Sequence, residues 1–223
     1  EITDDFYKID DAMKAGFGWE NGPFEIWDAI GVEKGIELMK AEGYQPASWV
    51  TDMVASGTTS FYSVKDGATH FYSITNKKVE KIPGQDAFII LNNIRESKKI
   101  WNNSDSIITD LGDGIINLEF TSKMNSIGAG VLQGINKAID IAEKDYNGLV
   151  IGNQGANFSV GANLGMIFMM AVEQEYDELN MAIKMFQDTM MRCRYSAIPV
   201  IAAPHGMTLG GGCELVMHSD RAV

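Results

Sequence analysis

The residues most suggestive of chemistry are Gly210-Gly211-Gly212-Cys213-Glu214, which follow an apolar segment near the end of the chain. Three consecutive glycines carry no side chains, so a ligand carbonyl can approach the backbone closely. A helix that begins there points free N–H groups at the ligand, which suits an oxyanion. Glu214 would lie in the first turn of that helix, where its carboxylate can act as a general acid or base. A tight turn into a buried helix with a solvated glutamate fits the same residues.

A second run of small residues, Ser159-Val160-Gly161-Ala162-Asn163, also lies between an apolar segment and a helical pattern. Alone, this run fits an ordinary loop. Two such loops, each at the carboxyl end of a strand, would supply the two N–H donors that an oxyanion hole needs. The two runs together therefore predict one site built from both loops.

The first part of the chain carries short helical patterns followed by a hairpin pattern. Apolar residues at helical spacing predict four short helices between residues 2 and 55. Aromatic and β-branched residues alternate with polar ones over residues 60–64 and 70–74, which predicts a β-hairpin. The polar segment from Lys77 to Gln85 is typical of a surface connection.

The second part of the chain alternates strand and helix patterns, which indicates an α/β arrangement with parallel pairing. The predicted elements are paired strands at 106–111 and 115–120, a helix over 127–141, a buried strand at 148–151, a long helix over 166–194 and a strand at 199–203. The long helix is rich in methionine. Its methionines fit ordinary core or interface packing, and an acyl pocket is the alternative.

Composition excludes several classes of protein. Acidic residues outnumber basic ones by 30 to 18, and the resulting formal charge of −12 makes nucleic acid an unexpected partner. Cys193 and Cys213 offer no metal spacing, and we expect no metal site. The cysteines fit a reducing compartment, so we expect a cytoplasmic protein. The sequence contains no apolar run near the roughly 18 residues that a membrane span requires.

The second part of the chain resembles a known family. Residues 158–163, Phe-Ser-Val-Gly-Ala-Asn, and residues 205–215, which contain Gly-Gly-Gly-Cys-Glu-Leu, closely resemble the enoyl-CoA hydratase (crotonase) family. Residues 123–127, Lys-Met-Asn-Ser-Ile, resemble that family's loop after the first hairpin. The resemblance runs from about Ile107 to the end. Asn163 stands where the family usually has Asp, which we expect to alter loop anchoring more than chemistry.

This resemblance implies roles for individual residues. The backbone N–H groups of Ala162 and Gly211 would form the oxyanion hole for a thioester enolate. Glu214 would be one of two glutamates that position and activate water, and the second is expected downstream of Val223. The residues expected to line the coenzyme A path, mostly through backbone atoms, are Lys123, Met124, Ser126, Val160 and Gly161.

The first part of the chain resembles a different family. Residues 9–14, Gly22-Pro23-Phe24-Glu25 and Pro46-Ala47-Ser48-Trp49-Val50 are similar to the C-terminal helical domain of 3-hydroxyacyl-CoA dehydrogenases. Helical domain first and hydratase second is the order of fused β-oxidation enzymes. No G-x-G-x-x-G follows a strand in this sequence, so we expect no cofactor on this chain. NAD is expected only for a dinucleotide-binding domain of the parent enzyme.

We therefore predict a mixed α and α/β protein that is a central fragment of a bifunctional enzyme. Residues 1–83 would form the dehydrogenase-like helical domain with its hairpin, residues 84–105 a linker, and residues 106–223 the first half of a crotonase-like ββα spiral fold. The parent would hydrate trans-2-enoyl-CoA and oxidise the resulting 3-hydroxyacyl-CoA with NAD. An enoyl-CoA isomerase and a non-catalytic oligomerisation module are the alternatives. The expected partners are an acyl-CoA substrate and further copies of the chain.

Overall fold

The computed structural model describes residues 2–223, and the chain divides into two compact units between Asn93 and Ile94. The predicted order, helices first and alternating strands and helices second, is confirmed. The first unit contains helices α1 (Tyr7–Phe17), α2 (Pro23–Ile30), α3 (Val32–Ala41) and α4 (Ser48–Ala55), then strands β1 (Tyr62–Lys65), β2 (Ala68–Ser73) and β3 (Lys78–Lys81).

The first unit has a small antiparallel sheet in the order β1-β2-β3. The predicted hairpin is confirmed as β1 and β2, in which Tyr62 pairs with Phe71. The prediction of a surface connection after the hairpin is wrong, because β3 continues the sheet and His70 pairs with Lys81. Lysines and a glutamate dominate β3, so it lacks the apolar alternation by which a strand is detected from sequence.

Helix α2 is anchored by the buried carboxylate of Asp10. This carboxylate accepts hydrogen bonds from the backbone N–H groups of Phe24 at 2.9 Å and Glu25 at 3.1 Å, and from the hydroxyl of Tyr62 at 2.7 Å. Pro23, at the first helical position, has no N–H to satisfy. Asp10 therefore caps the helix from another element. The aromatic core around it includes Phe6, Phe24, Trp49, Phe61 and Phe71.

The second unit contains one larger sheet and four helices, preceded by the short helix α5 (Leu91–Ile94), which spans the division. The remaining elements are β4 (Lys99–Asn102), β5 (Ser106–Gly112), β6 (Ile115–Phe120), α6 (Ala129–Asp145), β7 (Gly148–Ile151), α7 (Leu164–Val172), α8 (Tyr176–Arg194), β8 (Val200–Ala202), α9 (Gly211–His218) and β9 (Arg221–Ala222). These bounds confirm the paired strands and the buried strands that the sequence predicts.

The sheet of the second unit has the order β4-β5-β6-β7-β8-β9. Pairing is antiparallel from β4 to β6 and parallel from β6 to β9. Helix α6 packs its apolar face on β5, β6 and β7, because Val131, Ile135 and Ile139 recur at helical spacing and are fully buried. This packing forms the core beneath the parallel strands.

Residues 84–105, predicted as a linker, are folded and are divided between the two units. Strand β4 lies within them and forms one edge of the second sheet. Lys99, the first residue of β4, is typical of an edge strand, where charge discourages pairing with other chains. Within β4, only Trp101 packs against the core. One apolar contact is too short a pattern to predict a strand from the sequence.

The prediction of one long methionine-rich helix is wrong, because α7 and α8 are separate. Gln174 adopts a left-handed conformation with φ of +61°. The N–H of Glu175 donates to the carbonyl oxygen of Met170 at 2.9 Å, which closes α7 as a Schellman motif. Glycine usually marks such an ending, and here glutamine takes its place. Neither α7 nor any other helix within residues 2–223 combines the length and apolar character that a membrane crossing requires.

Candidate active site

Three loops of the second unit follow the parallel strands β6, β7 and β8. We call residues 121–128 the first loop, residues 152–163 the second loop and residues 203–210 the third loop. Because β6, β7 and β8 run parallel, their carboxyl ends share one edge of the sheet. Ligands of α/β sheets bind at this edge.

Hydrogen bonds tie the first loop to the second loop. The N–H of Ile127 donates to the carbonyl oxygen of Gly161 at 2.8 Å. The side-chain amide of Asn125 donates to the carbonyl oxygen of Asn157 at 3.0 Å. In the opposite direction, the hydroxyl of Ser159 donates to the carbonyl oxygen of Asn125 at 2.6 Å. The two loops therefore form one bonded layer.

The third loop is bonded to the second loop along its backbone. The N–H of Phe158 donates to the carbonyl oxygen of His205 at 2.8 Å, and the N–H of Ser159 donates to that of Met207 at 3.1 Å. The N–H of Leu209 donates back to the carbonyl oxygen of Ser159 at 2.9 Å. The second loop thus lies between the other two and holds both.

Gly161 is the point where the second and third loops approach most closely. Its φ of +87° disfavours other residues, and a Cβ atom there would lie 2.6 Å from the carbonyl oxygen of Leu209 and 2.8 Å from the nitrogen of Gly211. A Cβ atom on Gly211 would in turn lie 3.5 Å from the nitrogen of Ala162. The structure therefore places the backbone nitrogens of Ala162 and Gly211 side by side.

The N–H groups of Ala162 and Gly211 are free to bind a ligand. Within residues 2–223, neither group donates a hydrogen bond to a protein acceptor. Gly211 is the first residue of α9, where N–H groups have no partner inside the helix. Two unpaired donors beside a helix N-terminus can stabilise negative charge on a bound oxygen.

A cavity of about 350 Å³ adjoins these two donors. Glu214 lines it from the first turn of α9, the position predicted from sequence, and its side chain is exposed. The other lining residues are mostly apolar and come from the end of the first loop, the start of α6, α7 and α8. They include Ile127, Leu132, Met166, Ile167, Met170, Leu179, Ile183, Met185 and Phe186. Ala162, Gly211 and Glu214 therefore share one apolar cavity.

Phe186 is a cavity residue that the sequence patterns missed. A Cβ atom on Gly211 would lie 2.6 Å from Cζ of Phe186, so the ring rests against the Gly211 backbone. Phe186 belongs to α8, far from both small-residue runs in sequence, and no local motif marks it. Only the packing of α8 on α9 brings it to the site.

The methionines of α7 and α8 divide between the two predicted alternatives. Met166, Met170 and Met185 line the cavity. Met190 belongs to the buried core. The remaining three of this group, Met169, Met181 and Met191, are exposed.

The residues predicted to line the coenzyme A path lie on the first and second loops. Lys123 and Met124 are exposed in a short turn, in which Met124 has a φ of +56°. The carbonyl oxygen of Ser126 accepts a hydrogen bond from the hydroxyl of Ser122 at 2.7 Å. Within residues 2–223, the backbone of the half-buried Val160 forms no hydrogen bond.

The helix that follows the second loop is capped by Asn163. Its side-chain oxygen accepts a hydrogen bond from the N–H of Met166 at 3.3 Å, which satisfies one free donor of α7. Asn163 therefore anchors the end of the second loop to the start of α7. Over residues 2–223, no group of three or more His, Cys, Asp or Glu side chains could hold a metal ion.

Comparison with known families follows the division of the chain. The sequence model of the enoyl-CoA hydratase/isomerase family matches residues 111–223, slightly more than half of the chain. This chain belongs to that family. A second family model, the C-terminal domain of 3-hydroxyacyl-CoA dehydrogenase, matches residues 4–68. Both resemblances seen in the sequence are thereby confirmed.

Individual relatives of this enoyl-CoA hydratase/isomerase family member are longer proteins. A probable 3-hydroxyacyl-CoA dehydrogenase of Bacillus subtilis is 44% identical over 222 residues, which cover 99% of this chain and 28% of that protein. A Rickettsia felis protein named "Putative fatty acid oxidation complex trifunctional enzyme" is 28% identical over 100% of this chain and 28% of its own length. This chain therefore spans just over a quarter of each relative.

Among solved structures, an enoyl-CoA hydratase/isomerase from Xanthobacter autotrophicus is 26% identical. The match covers 54% of this chain and 46% of that one, with a TM-score of 0.47.

Proposed function

We propose that the second unit binds the thioester of a trans-2-enoyl-CoA and stabilises its enolate during hydration to a 3-hydroxyacyl-CoA. The observation that carries this proposal is the adjacent pair of free N–H groups, on Ala162 and Gly211, at the wall of an apolar cavity. Negative charge develops on the thioester oxygen as the hydroxyl group adds to C3. Two preorganised donors stabilise that charge, and the loss of one raises the barrier by roughly 3 to 4 kcal/mol.

Glu214 is the proposed acid and base of this site. It lines the same cavity, and its exposed carboxylate can exchange a proton with water. In hydration, a water molecule gives one proton to a base as its oxygen adds to C3, and an acid gives a proton to C2. Glu214 would hold the water and transfer one of these protons, and the glutamate expected downstream of Val223 would share the work in the whole protein.

The first and second loops are the proposed contacts for coenzyme A. The chain carries a formal charge of −12, so a polyphosphate group must be bound by local features rather than by the overall field. Lys123 supplies a cation without a carboxylate partner within residues 2–223, and Val160 supplies a backbone N–H that forms no hydrogen bond within the same residues. Gly161 contributes the absence of a side chain, because its N–H already donates to Ser159 and its carbonyl oxygen already accepts from Ile127. Met124 and Ser126 complete the proposed path along the same loops.

Enoyl-CoA isomerisation is the second candidate reaction. Glu214 is the only acidic side chain that lines the cavity within the described part of the chain. Isomerisation needs the same oxyanion hole and one base that moves a proton between C2 and C4. Assays of crotonyl-CoA hydration and of 3-hexenoyl-CoA conversion to the 2-enoyl isomer, performed side by side, distinguish the two reactions.

Titration calorimetry with crotonyl-CoA tests the proposed binding site. Gly211→Pro removes one donor, and Gly211→Ala is the matched control because it adds a Cβ atom beside Phe186 but keeps the N–H. We expect the unmodified chain to bind, Gly211→Ala to bind more weakly because its Cβ atom displaces the Phe186 ring, and Gly211→Pro to bind at least about tenfold more weakly than Gly211→Ala. Equal affinities for the two variants would exclude a role for this N–H.

NAD is proposed only for the whole protein, because the glycines that open α6 do not fit a dinucleotide cradle. Gly128, Gly130 and Gly134 open α6 after β6, but a Cβ atom on Gly130 would meet the carboxylate of Asp105 and one on Gly134 would meet the hydroxyl of Ser106. Gly130 and Gly134 therefore allow close packing of α6 on residues 105 and 106, and an acidic side chain opposes a pyrophosphate. Oxidation of 3-hydroxyacyl-CoA is therefore a proposal for the longer protein, and no step on this chain passes through NAD.

A non-catalytic assembly module is supported by one feature, the exposed apolar side chains of α7. Leu164, Phe168 and Val172 are 74%, 66% and 59% exposed. Contiguous exposed apolar surface marks interaction sites. We expect light scattering coupled to size-exclusion chromatography to show an oligomer that Phe168→Glu dissociates. An oligomer that binds no acyl-CoA would favour the module, whereas a monomer would exclude it.

We also propose a cytoplasmic location. Cys193 and Cys213 are both free thiols. Reducing compartments preserve such thiols. Fractionation of cells that express the complete protein tests this location.

A further inference from the structure

Ser159 lies where all three loops meet, and it is fully buried. Its hydroxyl donates to the carbonyl oxygen of Asn125 in the first loop at 2.6 Å. Its backbone N–H donates to Met207 at 3.1 Å, and its carbonyl oxygen accepts from Leu209 at 2.9 Å, so its backbone is bonded twice to the third loop. No role in ligand binding follows from the type of this residue alone. Its contacts suggest one.

The Ser159 hydroxyl also acts directly on the backbone beside one free donor. Its oxygen accepts a hydrogen bond from the N–H of Gly161 at 3.1 Å. This bond fixes the orientation of the chain immediately before Ala162. The bond from Leu209 similarly restrains the backbone two residues before Gly211. Ser159 thus restrains the backbone just before each of the two free N–H groups.

The hydroxyl further holds a strained turn in the first loop. Met124 and Asn125 both adopt left-handed conformations, with φ of +56° and +53°, which side chains other than glycine rarely take. The carbonyl that Ser159 binds belongs to Asn125 itself. Removal of the hydroxyl would therefore weaken the restraint on a turn that carries two of the proposed coenzyme A contacts, Lys123 and Met124.

Ser159 is closely surrounded by the start of α9. A Cβ atom on Gly212 would lie 2.9 Å from Cβ of Ser159, so the start of α9 packs directly on it. A residue here must be small and must carry a donor that is also an acceptor. Serine meets both requirements.

We propose that Ser159 is the positioning residue that sets the spacing of the Ala162 and Gly211 donors and couples it to the coenzyme A loop. This inference rests on the proposed function of the same site. The effect of the Ser159 hydroxyl on the loops can nevertheless be measured without any ligand, because the hydroxyl is bonded to groups of the protein.

Amide hydrogen exchange, followed by NMR on the whole chain, is the first test. In Ser159→Ala we expect exchange at Gly161, whose N–H loses its acceptor, to accelerate by about tenfold or more. Leu209 keeps its bond to the Ser159 carbonyl oxygen and should change much less, so it is the internal reference. Ser159→Cys, with a weaker donor, should give an intermediate acceleration and serves as the reporter if the alanine variant does not fold. Ser196→Ala is the matched control, because it removes a hydroxyl that donates to Cys193 and Ile198 outside the three loops. Unchanged exchange at Gly161 in both Ser159 variants would overturn the proposal.

Acetoacetyl-CoA supplies the second test, because its enolate has a characteristic near-ultraviolet absorption. We expect the unmodified chain and Ser196→Ala to produce this absorption, and the Ser159→Ala variant to need about tenfold more ligand for half the signal. Accelerated exchange with unchanged enolate formation would overturn the positioning role. Absence of the enolate signal from the unmodified chain would refute the proposed function instead, and hydrogen exchange alone would then decide whether Ser159 holds the loops.

Discussion

The guanidinium of Arg95 donates two hydrogen bonds to the buried carboxylate of Glu119, from Nε at 3.1 Å and from Nη2 at 2.7 Å. The Glu119 side chain is 3% exposed and that of Arg95 is 29% exposed. Glu119 lies one residue before the end of β6, and the first loop of the candidate site begins directly after that strand. The ion pair therefore fixes the strand end from which the loop starts.

Arg95→Met should lower the free energy of unfolding of the second unit by about 3 kcal/mol, because it leaves a buried carboxylate without its partner. Urea denaturation followed by circular dichroism measures the change. Arg95→Met combined with Glu119→Gln should recover part of the loss, since the remaining amide carries no charge. Equal losses in the single and double variants would show that the unpaired charge is not the cause.

Gly161→Ala should disrupt the site more than any other glycine change in the second loop. A Cβ atom there would press on two backbone atoms, the Leu209 oxygen and the Gly211 nitrogen, in addition to requiring a positive φ. Gly155→Ala is the matched control, because its φ is +135° and the added Cβ atom would meet nothing within 4 Å. We expect the free energy of unfolding to fall by about 1 kcal/mol in the control. In Gly161→Ala we expect it to fall further and crotonyl-CoA binding to be lost. Thermal melts and calorimetry on both variants test this difference.

Local sequence patterns were sufficient where one face of an element is buried. Strands β5 to β8 and the amphipathic helix α6 were predicted because β-branched residues or apolar periodicity mark them directly. The glycines of the second and third loops were likewise visible, because close backbone approach requires that residue type. The structure brings these loops together through backbone hydrogen bonds, and the sequence predicts this only through the position of each loop after a strand.

Features that depend on distant contacts were missed. Strand β3 is mostly charged, and it forms because it pairs with the free edge of β2. The break between α7 and α8 occurs at Gln174, which adopts a left-handed conformation. Glutamine is not a residue type that predicts this conformation. Phe186 reaches the cavity through the packing of one helix on another. None of these depends on a short motif, so no local pattern could have shown them.

The two cysteines should react at very different rates with a thiol reagent. Burial raises the pKa of the Cys193 thiol to about 12, so almost no reactive thiolate forms at pH 8. Cys213 is exposed at the start of α9. We expect one thiol per chain to react with 5,5′-dithiobis(2-nitrobenzoate) under native conditions and two after unfolding in urea. A Cys213→Ser variant that still releases one equivalent rapidly would contradict this assignment.

The second unit should lose stability in acid, because protonation removes the stabilising carboxylate of Glu143. It accepts hydrogen bonds from Arg192 at 2.7 and 2.6 Å and from the backbone N–H of Ala197 at 2.9 Å. These bonds, first of all those from Arg192, lower its pKa from 4.5 to about 2. Because the folded-state pKa is the lower one, this stabilisation is complete above about pH 5 and disappears as the pH falls towards 2.

Glu143→Gln tests this pH dependence. We expect the variant to be less stable than the unmodified chain by about 1 kcal/mol at pH 7, a modest value because the pair is partly exposed to solvent. The gap should narrow at pH 3, since protonation of Glu143 in the unfolded state removes the advantage of the carboxylate. Urea denaturation at pH 7, 5 and 3 measures it, with Glu178→Gln on the exposed side of α8 as the control. A gap that stays constant over this range would mean that the ion pair with Arg192 does not stabilise the fold.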